Sequence, residues 1–160
     1  MHMHSPLTSV IAFAILIGAV GGAFAYVAAN PIEIIGNPWF GFRGSPLTPE
    51  LAEAAGYQGQ QGFLVMDVEN DGPAREAGLR GGNTLITIGR VPACIGGDLI
   101  LEVNGVQPVG VAELEAVLET SVPGDDVNLR VLRGETTLNI SVTLGEDPGR
   151  PVRPLQEVCN

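Results

Sequence analysis

No charged side chain occurs between Met1 and Ile32; the first is Glu33. Within that stretch Val10–Ala29 (VIAFAILIGAVGGAFAYVAA) holds only apolar residues, glycine and one tyrosine. Some twenty helical residues at ~1.5 Å each span about 30 Å, the thickness of a bilayer's hydrocarbon core. Tyr26 suits a membrane interface, and Asn30-Pro31 stops a helix. The run therefore reads as a single transmembrane helix at 10–29 behind a short tail at 1–9. Two alternatives stay open. A cleaved signal peptide has an A-x-A site at Ala23-Phe24-Ala25, but Lys and Arg are missing ahead of the run, which continues past the cut. A buried core helix is normally shorter or shows a polar face. The membrane reading, with an uncharged amino terminus left inside, puts the rest of the chain on the extracytoplasmic side. Ala14, Gly18 and Gly22 recur every four residues and form a face that admits a neighbouring helix closely, although Gly and Ala are common in any membrane helix.

Charge narrows the partners. Eighteen acids stand against eight bases, a formal charge of −10, and every base is an arginine. No basic stripe exists to neutralise phosphates, so nucleic acid is excluded as a partner. Chemistry is narrowed too. The only histidines are His2 and His4, so no histidine-dependent catalysis is available in the body of the chain. Met1-His2-Met3-His4 alternates ligand types that suit copper, but without further ligands no metal site and no cofactor are expected.

The remainder divides into a linker at 30–38, a patterned region at 39–145 and a proline-containing tail at 146–160. Thr48 and Pro49 open a helix that Gly56 ends. Gly62–Glu69 reads as a strand before the turn Asn70-Asp71-Gly72-Pro73, and Ala74–Gly78 as a helical turn. Thr84–Ile88 and Val91–Ile95 form a hairpin across Gly89-Arg90. Leu99–Val103 is a strand, and Val111–Thr120 shows a helical face at 111, 114, 117 and 118. Val127–Arg133 and Thr137–Leu144 are the last strands. This is an α+β domain with two or three short helices. The tail, with Pro148, Pro151 and Pro154 and no periodicity, is expected to be extended and poorly ordered.

Several segments together resemble a known module: Trp39-Phe40-Gly41-Phe42-Arg43-Gly44, Leu47-Thr48-Pro49-Glu50-Leu51, Gly72-Pro73-Ala74 leading to Ala77-Gly78-Leu79, Gly97-Asp98-Leu99 through Asn104-Gly105, Pro123-Gly124-Asp125 and Val131-Leu132-Arg133-Gly134. Their order and spacing are similar to the PDZ domain of HtrA-type, trypsin-like serine proteases. The resemblance implies a small, partly open β-barrel or sandwich. Here the step from Ala-Gly-Leu to Gly-Asp is stretched by Arg80–Gly96, which carries the hairpin and Cys94. No protease accompanies it in this chain. A catalytic triad needs a histidine, no G-x-S-G turn occurs, and H-E-x-x-H for a zinc protease is absent. The chain is expected not to be an enzyme.

The resemblance also implies a site. PDZ domains add an extended peptide to an open sheet edge beside a helix. Phe40-Gly41-Phe42 would be the carboxylate loop, with Gly41 allowing close backbone approach and the two rings walling a pocket. Arg43 would help attract the carboxylate. On the facing helix Val111, Glu115 and Leu118 would line the groove, Leu118 at the pocket floor and Glu115 repelling acidic ligands. Each of these residues also suits ordinary core packing or a tight turn. Cys94 and Cys159 can pair in an oxidising compartment, but two free, inert thiols are the default expectation. The leading reading is a membrane-anchored, peptide-binding protein whose partners are C-terminal or extended segments of membrane or exported proteins. The alternatives are an accessory subunit packed in lipid against other transmembrane subunits, and a regulatory HtrA-like component without its catalytic domain.

Overall fold

The computed structural model describes residues 36–159. His2, His4 and the Val10–Ala29 run with Ala14, Gly18 and Gly22 lie outside the described residues. Among the described residues no helix is long and apolar enough to cross a membrane. In chain order the elements are β1 (Pro38–Trp39), β2 (Phe42–Pro46), α1 (Pro49–Ala55), β3 (Phe63–Val68), α2 (Pro73–Glu76), β4 (Thr84–Ile88), β5 (Val91–Ile95), β6 (Leu99–Val103), α3 (Ala112–Glu119), β7 (Asp126–Arg133), β8 (Thr136–Thr143), β9 (Gly145–Glu146) and α4 (Leu155–Val158).

Local chemistry sets the helix ends. The Thr48 hydroxyl accepts from the Leu51 N–H at 3.2 Å, Pro49 takes the first helical position, and Gly56 closes α1 in the left-handed region. α3 starts differently: the Glu113 carboxylate accepts from the Gly110 N–H at 2.8 Å, and Leu114 anchors the helix in the core.

An antiparallel sheet of order β2-β3-β6-β7-β8 organises the molecule. All six residues of β3 are buried. Phe63 and Val65 face one apolar layer, with Phe40, Ile100, Leu114 and Leu129. Leu64 and Met66 face a second, with Leu51, Tyr57 and Leu99. A strand covered on both faces reads as a continuous apolar run rather than an alternation. β7, by contrast, alternates, burying Val127, Leu129 and Val131. Complete burial of a Leu or Val side chain contributes about 2 kcal/mol, and Leu64 and Val65 show no exposed surface.

The second layer is closed by the insertion and the tail. β4 and β5 pair in one continuous register from Thr84↔Ile95 to Ile88↔Val91, and Ala93, Cys94, Ile86 and Ile88 pack onto the layer. Two expectations are corrected here. The tail is ordered, not loose: β9 pairs with β1, Arg150 makes two bonds to Asp71 (2.9 and 2.6 Å), and Leu155 of α4 packs on the second layer. Cys94 and Cys159 are a disulfide rather than free thiols, with Cα atoms 5.9 Å apart. Packing of α4 brings Cys159 to Cys94 across 65 residues of sequence, a proximity that spacing alone does not reveal.

Candidate functional site

β2 is an edge strand, hydrogen-bonded on one side to β3. Its ladder pattern follows from the bonds at its two ends. The Glu69 N–H donates to Gly41 O at 2.9 Å, and the Leu47 N–H donates to Gly62 O at 2.9 Å. In an antiparallel ladder those bonds make Phe42↔Val68 and Pro46↔Phe63 non-hydrogen-bonded pairs. A bulge between Arg43 and Gly44 preserves the alternation, so Gly44↔Val65 is also such a pair. Phe42 and Gly44 therefore turn their N–H and C=O groups away from β3, towards the open edge. Pro46 offers only a carbonyl there. Gly44 is required at its position, since a Cβ would lie 2.0 Å from Leu64 O.

The loop before β2 is held from behind. Phe40 O accepts from the Ala74 N–H and Gly41 O from the Glu69 N–H, both at 2.9 Å. Gly41 has φ +78°, and a Cβ on it would meet Pro73 Cδ at 2.9 Å, so no other residue fits without displacement. With the two carbonyls fixed against the turn between β3 and α2, the Phe40 and Gly41 N–H groups donate to no acceptor among the described residues. Together with the outward Phe42 N–H, three successive amides at the start of an open strand are left without an acceptor among the described residues. Free amides of this kind suit an anion.

The structure distributes the expected site residues unevenly. Phe40 is a core residue, 4% exposed. The half-buried Phe42 ring lies 5.2 Å from Phe40 and 6.4 Å from Phe63, edge-on to the latter. Leu118 and Val117 of α3 pack on the same apolar layer as Phe40 and Phe42. Val111 is 48% exposed at the start of α3, and Glu115 is exposed on the helix. Arg43 points elsewhere: Nε and Nη2 bond Asp67 Oδ2 at 3.2 and 2.5 Å, and Nη1 donates to Arg153 O at 2.6 Å. Its charge is already paired. Sequence reasoning missed Gly44 and the ladder direction at Phe42; a glycine inside a strand pattern was the available signal.

The geometry agrees with the comparisons. The PDZ domain family matches residues 38–144. The chain is 30% identical over 141 residues to a probable periplasmic serine endoprotease DegP-like from Halomonas elongata, a match covering 77% of this chain and 27% of the relative. With Protease Do-like 1, chloroplastic, of Arabidopsis thaliana it shares 38% over 90 residues, 56% of this chain and 20% of the relative. The chain thus spans about a quarter of the length of the curated relatives it matches. Among solved structures it is similar to the HtrA-type protease AlgW with a decapeptide, at TM-score 0.57 and 30% identity over 73% of this chain and 31% of that one. It is also similar to the HtrA3 PDZ domain bound to a phage-derived ligand, FGRWV, at TM-score 0.54 and 25% identity over 72% of this chain and 95% of that one. With the family's match running over 38–144, most of the chain, this chain belongs to the PDZ domain family.

Proposed function

We propose that this chain is a membrane-anchored, non-catalytic PDZ protein that captures the C-terminal or extended segments of membrane or exported proteins. The observation that carries the reading is the open edge of β2, which begins at three amides without an acceptor among the described residues. A peptide carboxylate at the Phe40, Gly41 and Phe42 amides would place the preceding residues antiparallel to β2. The Phe42 carbonyl and both Gly44 groups would then supply the next rungs. Pro46 has no N–H, so the ladder is short and side-chain contacts must supply the remaining selectivity. Phe42 and Leu118 would hold an apolar terminal side chain, while Val111 and Glu115 would meet residues upstream.

The uncharged Val10–Ala29 run supports the anchor. The periplasmic relatives and the Cys94–Cys159 disulfide support an extracytoplasmic domain. The test is binding of peptides selected from a library with random free C-termini, measured by fluorescence polarisation. Amidation of a selected peptide's terminus is expected to weaken it at least tenfold. Leu118→Ala is expected to do the same, and Glu50→Ala, exposed on α1, to change nothing. Failure to select any peptide, or indifference to amidation, overturns the proposal.

A further inference from the structure

The tail after β9 runs along the back of the loop that this reading makes the carboxylate site. Arg150 holds Asp71 with two hydrogen bonds, at 2.9 and 2.6 Å. Arg153 lies 3.6 Å from Glu69, and its carbonyl accepts from Arg43 at 2.6 Å. Beyond them the chain is fixed to β5 by the Cys94–Cys159 disulfide. Glu69 and Asp71 belong to the turn whose backbone grips the loop, because the Glu69 N–H donates to Gly41 O. One hydrogen bond therefore separates the tail's contacts from the amide donors.

Exposed ion pairs are weak one at a time. A segment tethered at both ends, by β9 and by Cys159, presents its two arginines at high effective concentration. Arg150 and Arg153 are complementary in charge to the acidic turn they meet, and the Arg150 hydrogen bond holds the Asp71 carboxyl below its ordinary value. A loop held in its binding geometry avoids the loss of apparent affinity that comes from sampling incompetent states.

We propose that residues 147–159 form a strap that positions the ligand loop: latched at Cys94–Cys159, Arg150 and Arg153 immobilise the Glu69–Asp71 turn and so aim the Phe40, Gly41 and Phe42 amides. Arg150 and Arg153 are positioning residues, and the inference rests on the carboxylate reading of the loop.

The test has two arms on the full-length chain in detergent. Amide hydrogen exchange is followed by NMR in the native protein and in three variants: Cys94→Ser with Cys159→Ser, Arg150→Gln with Arg153→Gln, and Arg150→Lys with Arg153→Lys. Glu69 is expected to exchange about tenfold faster in the serine and glutamine variants, with Leu129 and Val131 of β7 changing less than about twofold, and lysine restoring most of the protection. Peptides selected against the native chain are expected to bind the serine and glutamine variants about three- to tenfold more weakly. Unchanged Glu69 exchange, acceleration shared equally with Leu129 and Val131, or equal peptide affinity in all forms overturns the strap. Should Glu69 respond as expected while no peptide binds any form, the strap's hold on the turn stands and the carboxylate reading fails.

Discussion

Asp98 shows what a short sequence motif contributes at the scale of one residue. It is 1% exposed, yet every donor around it is matched: Arg133 Nε and Nη2 each lie 2.7 Å from its two oxygens, and the Arg80 N–H donates at 2.9 Å. The same guanidinium donates to Gly78 O at 2.7 Å, so the ends of the insertion are joined to β7. Hydrogen bonding to Asp98 holds the Arg133 guanidinium above its ordinary value, while burial raises the Tyr57 phenol beside it. Tyr57 bonds Gly97 O and Leu132 O across the same junction. Asp98→Asn keeps the shape but sets an amide donor against these donors. The expected loss is about 3 kcal/mol, read as a lower denaturant midpoint with an unchanged slope. Gly97-Asp98 was visible as a motif, whereas its buried partnership was not, because Arg133 lies 35 residues away.

Elements were legible where their pattern is local. β4, β5 and β6 fall at the residues that alternation and turn glycines indicate, and α3 departs by one residue at each end. α1 was marked by its cap. β1 and β9 are two residues each and exist only by pairing with one another, so no periodicity could announce them. The tail was misread for a related reason. Its order comes from Asp71, Glu69, Arg43 and Cys94, all distant in sequence, and tertiary contacts override a proline-rich composition. For the proposed ligand site, motif resemblance marked the loop at 40–42 and the α3 segment, but the pairing of Arg43 with Asp67 required the register. Closing a loop of 65 residues lowers the unfolded chain's entropy by about 4 kcal/mol. Cys94→Ser is accordingly expected to destabilise the domain by about 2–4 kcal/mol, measured by equilibrium unfolding without reductant; a change below about 0.5 kcal/mol would contradict a latched tail.

Across the whole molecule, the formal charge of −10 is unevenly compensated. Arg43, Arg130, Arg133, Arg150 and Arg153 all sit in ion pairs, whereas Glu113, Glu115 and Glu119 on α3 have no ion-pair partner among the described residues. Under the proposed peptide reading, α3 would thus present negative charge to an arriving peptide. An upstream Arg in place of Asp is expected to tighten binding about three- to fivefold at low salt, and the advantage should collapse in 1 M salt. Glu115→Gln should narrow the same difference; if it leaves it intact, Glu115 does not face the ligand. The disulfide also has a topological consequence. It closes a covalent ring that contains β6, α3, β7, β8, β9 and α4. The connection between β6 and α3, where Val106 and Val109 stand 58% and 59% exposed, lies within that ring. A protease that cuts there leaves one covalent molecule, and its two pieces separate only on a reducing gel.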